Sequence, residues 1–138
     1  DLPLEESDDA LAACEAAGIA LVPLVAPTSS SERMAKIGAR ARGFVYAVSL
    51  VGTTGERSSL AAAYADTIRQ AKAHTEVPVA LGFGISDPDQ AREAAASGAD
   101  GVIVGSRLVR AVAEATDAGQ DPAAAAGEVV KSFRAALG

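Results

Sequence analysis

A chain of 138 residues, 49% of them hydrophobic, can bury one sizeable core but falls well short of the roughly 250 residues of a complete eight-stranded α/β barrel. Its net charge of −6, with no basic run, argues against nucleic acid or an anionic membrane as partner. With 4% aromatic residues and no Trp, it calls for an aliphatic core between helices and strands rather than an aromatic binding surface. Cys14 is the single cysteine, so no internal disulfide forms and a reducing cytoplasm is the simpler expectation. No apolar run reaches the ~18 residues of a membrane-spanning helix, and no secretory signal order opens the chain. The start at Asp1-Leu2-Pro3, without Met, suggests processing or preceding sequence.

Helical and extended segments alternate. Residues 4–17 carry acidic residues in their first turn and stop at Gly18, which reads as a helix. Residues 19–25 form an apolar run closed by Ala26-Pro27, a predicted buried strand. The Ser/Thr cluster 28–31 then offers N-caps to a helix with Met34, Ile37 and Ala41 on one face. Residues 44–48 are the second strand. Residues 49–59 lack periodicity and are rich in Gly, Ser and Thr, predicting a mobile loop before a helix over 60–74, where Leu60, Tyr64, Ile68 and Ala71 align. Residues 78–82 are the third strand, Asp87-Pro88 opens the next helix, and residues 101–104 are the fourth strand. Helices near 106–117 and 122–136 follow. Strands this uniformly apolar belong in a parallel sheet covered by helices. On pattern alone, an open flavodoxin-like sheet and half of a barrel are equally good readings.

The chemistry-bearing candidates stand after these strands. GFGIS at 82–86 and Gly105-Ser106 both follow strands, where glycine lets a ligand reach bare backbone N–H groups. Together they read as one phosphate site, although glycines at such turns also serve merely as tight corners. Neither matches a Walker A or dinucleotide fingerprint. Gly52-Thr53-Thr54-Gly55 is either a lid or a plain solvent loop. Tyr46 shares a strand face with Val48 and reads as core or as a substrate contact. His74, at a helix end without a second His or Cys nearby, reads as a surface residue and not a metal ligand. Asp100, ahead of the fourth strand, is expected to cap or pair. One histidine at a helix end supports no Ser-His-Asp arrangement.

Taken together, Asp1-Leu2-Pro3, Leu24-Val25-Ala26-Pro27-Thr28, Tyr46-Ala47-Val48-Ser49 with Gly52-Thr53-Thr54-Gly55, GFGIS, and the run from Asp100 to Ser106 resemble the alpha subunit of tryptophan synthase as far as about Val112. The resemblance implies the C-terminal half, about four βα units, of a TIM (β/α)8 barrel, starting just after the fourth strand. It implies a lyase that splits indole-3-glycerol phosphate into indole and glyceraldehyde 3-phosphate without a cofactor, beside a pyridoxal-phosphate beta subunit that consumes the indole. Gly55, Phe83, Gly84, Gly105 and Ser106 would surround the phosphate through uncharged donors. Tyr46 would line the reacting end, and Thr54 would sit on the lid.

The family's general acid/base Glu and Asp belong to the second strand and the loop after it, which this sequence lacks. An isolated chain is therefore expected to be inactive, and to pair with the N-terminal half or with a second copy of itself. Two other readings remain open at this point: a non-catalytic phosphate-binding or self-associating half-barrel, and another phosphate-handling α/β barrel enzyme.

Overall fold

The computed structural model describes residues 2–48, 57–82 and 84–138, with the side chains of 57–63 excepted. Among the described residues a four-stranded parallel sheet runs in the order β1 (Leu24–Val25), β2 (Val45–Val48), β3 (Val79–Gly82), β4 (Gly101–Val102). Helices α1 (Asp8–Ala16), α2 (Ser31–Arg40), α3 (Arg57–Lys72), α4 (Pro88–Ala96), α5 (Ser106–Asp117) and α6 (Pro122–Leu137) complete it, with a 3-10 turn at Leu4–Glu6 ahead of α1.

Local sequence sets the helix ends. The Ser30 side chain accepts from the Arg33 N–H at 3.2 Å to open α2, and Glu32 pairs with Lys36 one turn on at 2.8 Å. At α4, Asp87 accepts from the N–H groups of Asp89 and Gln90 at 2.9 and 3.0 Å, while Gln90 reaches back to the Asp87 N–H at 3.3 Å, a reciprocal capping box with Pro88 at the first helical position. Asp121 caps α6 through the Ala123 N–H at 2.9 Å.

Alternation along the strands divides the sheet into two faces. Val25, Val45, Ala47, Val79 and Leu81 are buried against the helices, joining Met34, Ile37, Ile68, Ala91, Ala94 and Phe133 in one core. Each large aliphatic side chain buried there contributes roughly 1.5–3 kcal/mol. The expected α2 face is the buried one, as are Tyr64, Ile68 and Ala71 of α3; the Leu60 side chain lies outside the described residues. The other sheet face carries an in-register row, Leu24, Tyr46, Ala80 and Gly101, with Val48 beside Gly82 above it. Leu24 is 41% exposed on this face.

Four predicted elements differ from the structure. The helix expected over 60–74 runs Arg57–Lys72, so that 57–59, expected in the loop, are helical. The strand over 19–25 shrinks to Leu24–Val25 and that over 101–104 to Gly101–Val102. Both are edge strands with a ladder on one side, and Pro23 brings only a carbonyl, which accepts from the Tyr46 N–H at 2.9 Å. The helix over 4–17 breaks at Ser7, whose hydroxyl donates to the Leu4 carbonyl at 2.7 Å and so competes with a continuous helix.

Candidate functional site

The site grows from the exits of β3 and β4. Leu81 pairs with Val102, and the Ile103 N–H donates to the Leu81 carbonyl at 2.8 Å, so the two chain segments leave the sheet side by side. After β3, Gly84 sits at φ +82, a left-handed conformation that favours glycine, and Ile85 anchors the loop in the core. After β4, Gly105 leads into α5 at φ −111, a conformation that side chains tolerate. Among the described residues, a Cβ on either glycine would meet no atom within 4 Å. Packing against the described residues, and at Gly105 backbone conformation, do not demand glycine there; what glycine preserves among them is space in front of the backbone.

The two helices that start here differ electrostatically. The α4 N-terminus is closed by its own Asp87 and Gln90 side chains. The α5 N-terminus has no side-chain cap and no acidic residue in its first turn. Its first helical bond runs from the Val109 N–H to the Gly105 carbonyl at 3.1 Å, which leaves the amides of Ser106, Arg107 and Leu108 without a partner inside the helix. Partial positive charge collects at such an end, so an anion is what would complete it. Arg107 stands in this first turn by sequence position.

Tyr46 and Gly82 share the sheet face away from the helices. A Cβ on Gly82 would lie 2.5 Å from Cζ and 2.8 Å from Cε1 of Tyr46, and closer still to its hydroxyl. Tyr46 is level with Ala80 in the register, so its ring leans two residues along β3 toward the strand exits. The half-buried tyrosine thus presents its hydroxyl toward the end of the sheet where the Gly84 and Gly105 loops emerge. Gly84, Gly105, Ser106 and Tyr46 are gathered at one end of the sheet; Thr54, Gly55 and Phe83, with Gly52 and Thr53 of the expected lid, lie outside the described residues.

The remaining candidates stand apart. The ring Nε2 of His74 is 2.9 Å from the Ser31 hydroxyl, and among the described residues no group of three His, Cys, Asp or Glu side chains is placed to hold a metal. Asp100 pairs, as expected: its carboxylate accepts from Lys72 Nζ and from the Val79 N–H, both at 2.8 Å, and these two bonds hold it below the ordinary carboxylate range. No helix among the described residues is long and apolar enough to cross a membrane.

Comparison with known proteins gives a consistent result. The family described as "Tryptophan synthase alpha chain" matches residues 1–137. The tryptophan synthase alpha chain of Picosynechococcus sp. is 44% identical over 137 residues, covering 99% of this chain and 51% of that protein. That of Gloeobacter violaceus is 50% identical over 115 residues, 83% of this chain and 42% of the relative. The crystal structure of the alpha chain from Legionella pneumophila superposes with a TM-score of 0.84 at 39% identity, covering 99% of this chain and 49% of that one. A structure of the a2b2 complex from Pyrococcus furiosus gives a TM-score of 0.82 at 34% identity over 98% of this chain and 53% of the neighbour. The chain spans about half the length of the curated relatives it matches, and its sheet and helices reproduce about half of the alpha-chain TIM barrel.

Proposed function

Because the chain belongs to the tryptophan synthase alpha chain family, we propose that it supplies the phosphate-holding half of a lyase that splits indole-3-glycerol phosphate into indole and glyceraldehyde 3-phosphate. The observation that carries this reading is the uncapped N-terminus of α5 beside the β3 exit, with no atom of the described residues within 4 Å of a Cβ on Gly84 or Gly105. In it the amides at Gly84, Gly105 and Ser106 hold the phosphate, Gly55 and Phe83 complete the cradle, Tyr46 lines the reacting end, and Thr54 closes the lid. A beta subunit takes the indole; the assembly of the Pyrococcus furiosus relative as an a2b2 complex supports such a partner.

Breaking the bond between indole C3 and the glycerol chain needs a proton delivered to C3 and a base that takes the hydroxyl proton as the aldehyde forms. The carboxylates for both belong, by the family resemblance, to the other half of the barrel. This chain then binds the phosphate end and does not turn over alone. Calorimetric titration with glycerol phosphate tests binding, and indole release tests chemistry. We expect measurable affinity, with release near background until a complementary N-terminal half is supplied. Robust turnover by the 138-residue chain alone would overturn the division of labour, and loss of neither affinity nor specificity in Gly84→Val would overturn the phosphate site.

A further inference from the structure

Gln90 is the third residue of α4, and its side chain reaches back past the start of the helix. In an ordinary capping box the side chain at this position accepts from the N-cap amide. That bond is present here, from the Asp87 N–H at 3.3 Å, but it is not the shortest. A 2.7 Å bond comes from the N–H of Ser86, and the Ser86 hydroxyl adds another at 3.3 Å. Ser86 is the last residue of GFGIS and lies outside the helix. It is exposed, so without Gln90 its amide would face water. The helix is a firm base from which to hold it: Ala91 and Ala94 are fully buried, and α4 packs against α3, α6 and β4, all of them among the described elements.

Gly84 therefore stands between two fixed points. Upstream, β3 is paired with β2 as far as Gly82, opposite Val48. Downstream, Ile85 is 4% exposed in the core and Ser86 is held by Gln90. Left unheld, a glycine at φ +82 is the freest link in the chain, and a ligand bound through its backbone would have to order it on arrival. We propose that Gln90 is a positioning residue for the phosphate-holding loop: its Oε1 pins Ser86, and so sets the Gly84 turn in its binding conformation before the anion arrives. This rests on the phosphate reading of the Gly84 and Gly105 loops given above. Gln90 needs no contact with the ligand; it acts through Ser86. What its position requires is an acceptor of N–H bonds, which Glu also supplies and an apolar side chain of similar size does not.

Residue-resolved hydrogen exchange by NMR on the whole chain reads the pin, and calorimetric titration with glycerol phosphate reads its use. In the unaltered chain the Ser86 amide should exchange about tenfold or more slowly than an unprotected one, although its residue is exposed. Gln90→Leu should remove that protection and weaken glycerol phosphate binding about three- to tenfold, the fold-change that one or two hydrogen bonds are worth. Gln90→Glu should restore the protection. Asp87→Ala separates positioning from helix capping, because it removes the bonds from the Asp89 and Gln90 amides. It should lower the melting temperature at least as much as Gln90→Leu and leave the affinity within about twofold. Equal loss of affinity in the two variants overturns the positioning role and makes Gln90 a cap alone. A Ser86 amide that exchanges freely in the unaltered chain overturns the pin; that readout needs no variant, so a Gln90→Leu protein that fails to fold leaves the test intact. No affinity in an unaltered chain whose Ser86 amide is protected overturns instead the phosphate reading, and with it the purpose of the pin.

Discussion

The ring of Tyr46 on β2 rests over Gly82 on β3 and fills the space that a side chain there would take. A glycine in a strand interior is ordinarily a weakness, and alanine is the better residue by roughly 0.5–1 kcal/mol. Here the order is expected to reverse. Gly82→Ala should cost about 1–3 kcal/mol by overpacking, and in a Tyr46→Val background the same change should become neutral or favourable. Urea denaturation of the four proteins reads this coupling. Equal cost in both backgrounds would show that the ring does not set the requirement.

Gly38 poses the same question on a helix. It lies inside α2, where replacement by alanine should gain about 1 kcal/mol from propensity. A Cβ there would collide with the His74 carbonyl, lying 2.7 Å from its carbon, and backbone cannot swing aside as a side-chain tip can. We expect Gly38→Ala to lower stability by 1 kcal/mol or more, on the order of an overpacked core site. A raised urea midpoint would refute the close crossing.

The uncapped start of α5 allows a test in which stability and binding move in opposite directions. Gly105→Asp should place a negative charge at that end, adding a few tenths to about 1 kcal/mol of stability through the helix dipole. The same carboxylate would occupy the space meant for an anion, so affinity for glycerol phosphate should fall at least tenfold. A higher melting temperature with unchanged affinity would move the phosphate elsewhere.

Asp100 links the ends of three elements and sets an acid limit. The Lys72 ammonium first, and the Val79 N–H second, lower its pKa from the ordinary 3.8. The folded chain therefore binds this proton less tightly than the unfolded one. Its contribution is complete above about pH 4 and fades as the pH falls through the lower native value. Because the Asp100 side chain is 40% exposed, solvent screens the pair and the effect is modest. Asp100→Asn should cost about 1 kcal/mol near neutrality, with the two stability curves converging in acid.

Assembly follows from the sheet edges. Among the described residues β1 and β4 each pair on one side only, and unpaired edges recruit strands. We expect the chain to associate with itself or with an N-terminal half rather than remain a monomer, a two-fold pair of copies being one closed solution. Light scattering across a dilution series decides it; a cooperatively melting monomer at all concentrations would count against the reading.

The sequence announced much of this fold because its local signals agree with one another. Asp87-Pro88 starts α4, Gly105-Ser106 starts α5, and the Met34/Ile37/Ala41 face is the buried one. The edge strands were overestimated because apolar runs report burial, whereas a strand needs a neighbour to pair with, and Pro23 brings no N–H. The placement of Tyr46 over Gly82 depends on register between separate strands, which no local pattern carries. The same holds for Arg33 with Glu5 and Arg40 with Asp8, pairs 28 and 32 residues apart whose charges read locally as ordinary solvated faces.

Across the sheet face turned away from the helices, the in-register row shrinks from Leu24 and Tyr46 to Ala80 and Gly101, with Val48 giving way to Gly82 above it. Among the described residues, the low ground of this surface lies over Ala80 and Gly101, since the Tyr46 ring already covers Gly82. Anything that fits against it must be wedge-shaped, thick over these two small residues and thin over Leu24 and Tyr46. That side is also the one next to the uncapped start of α5, so the residues that leave room for a guest steer its thickest part toward the positive helix terminus.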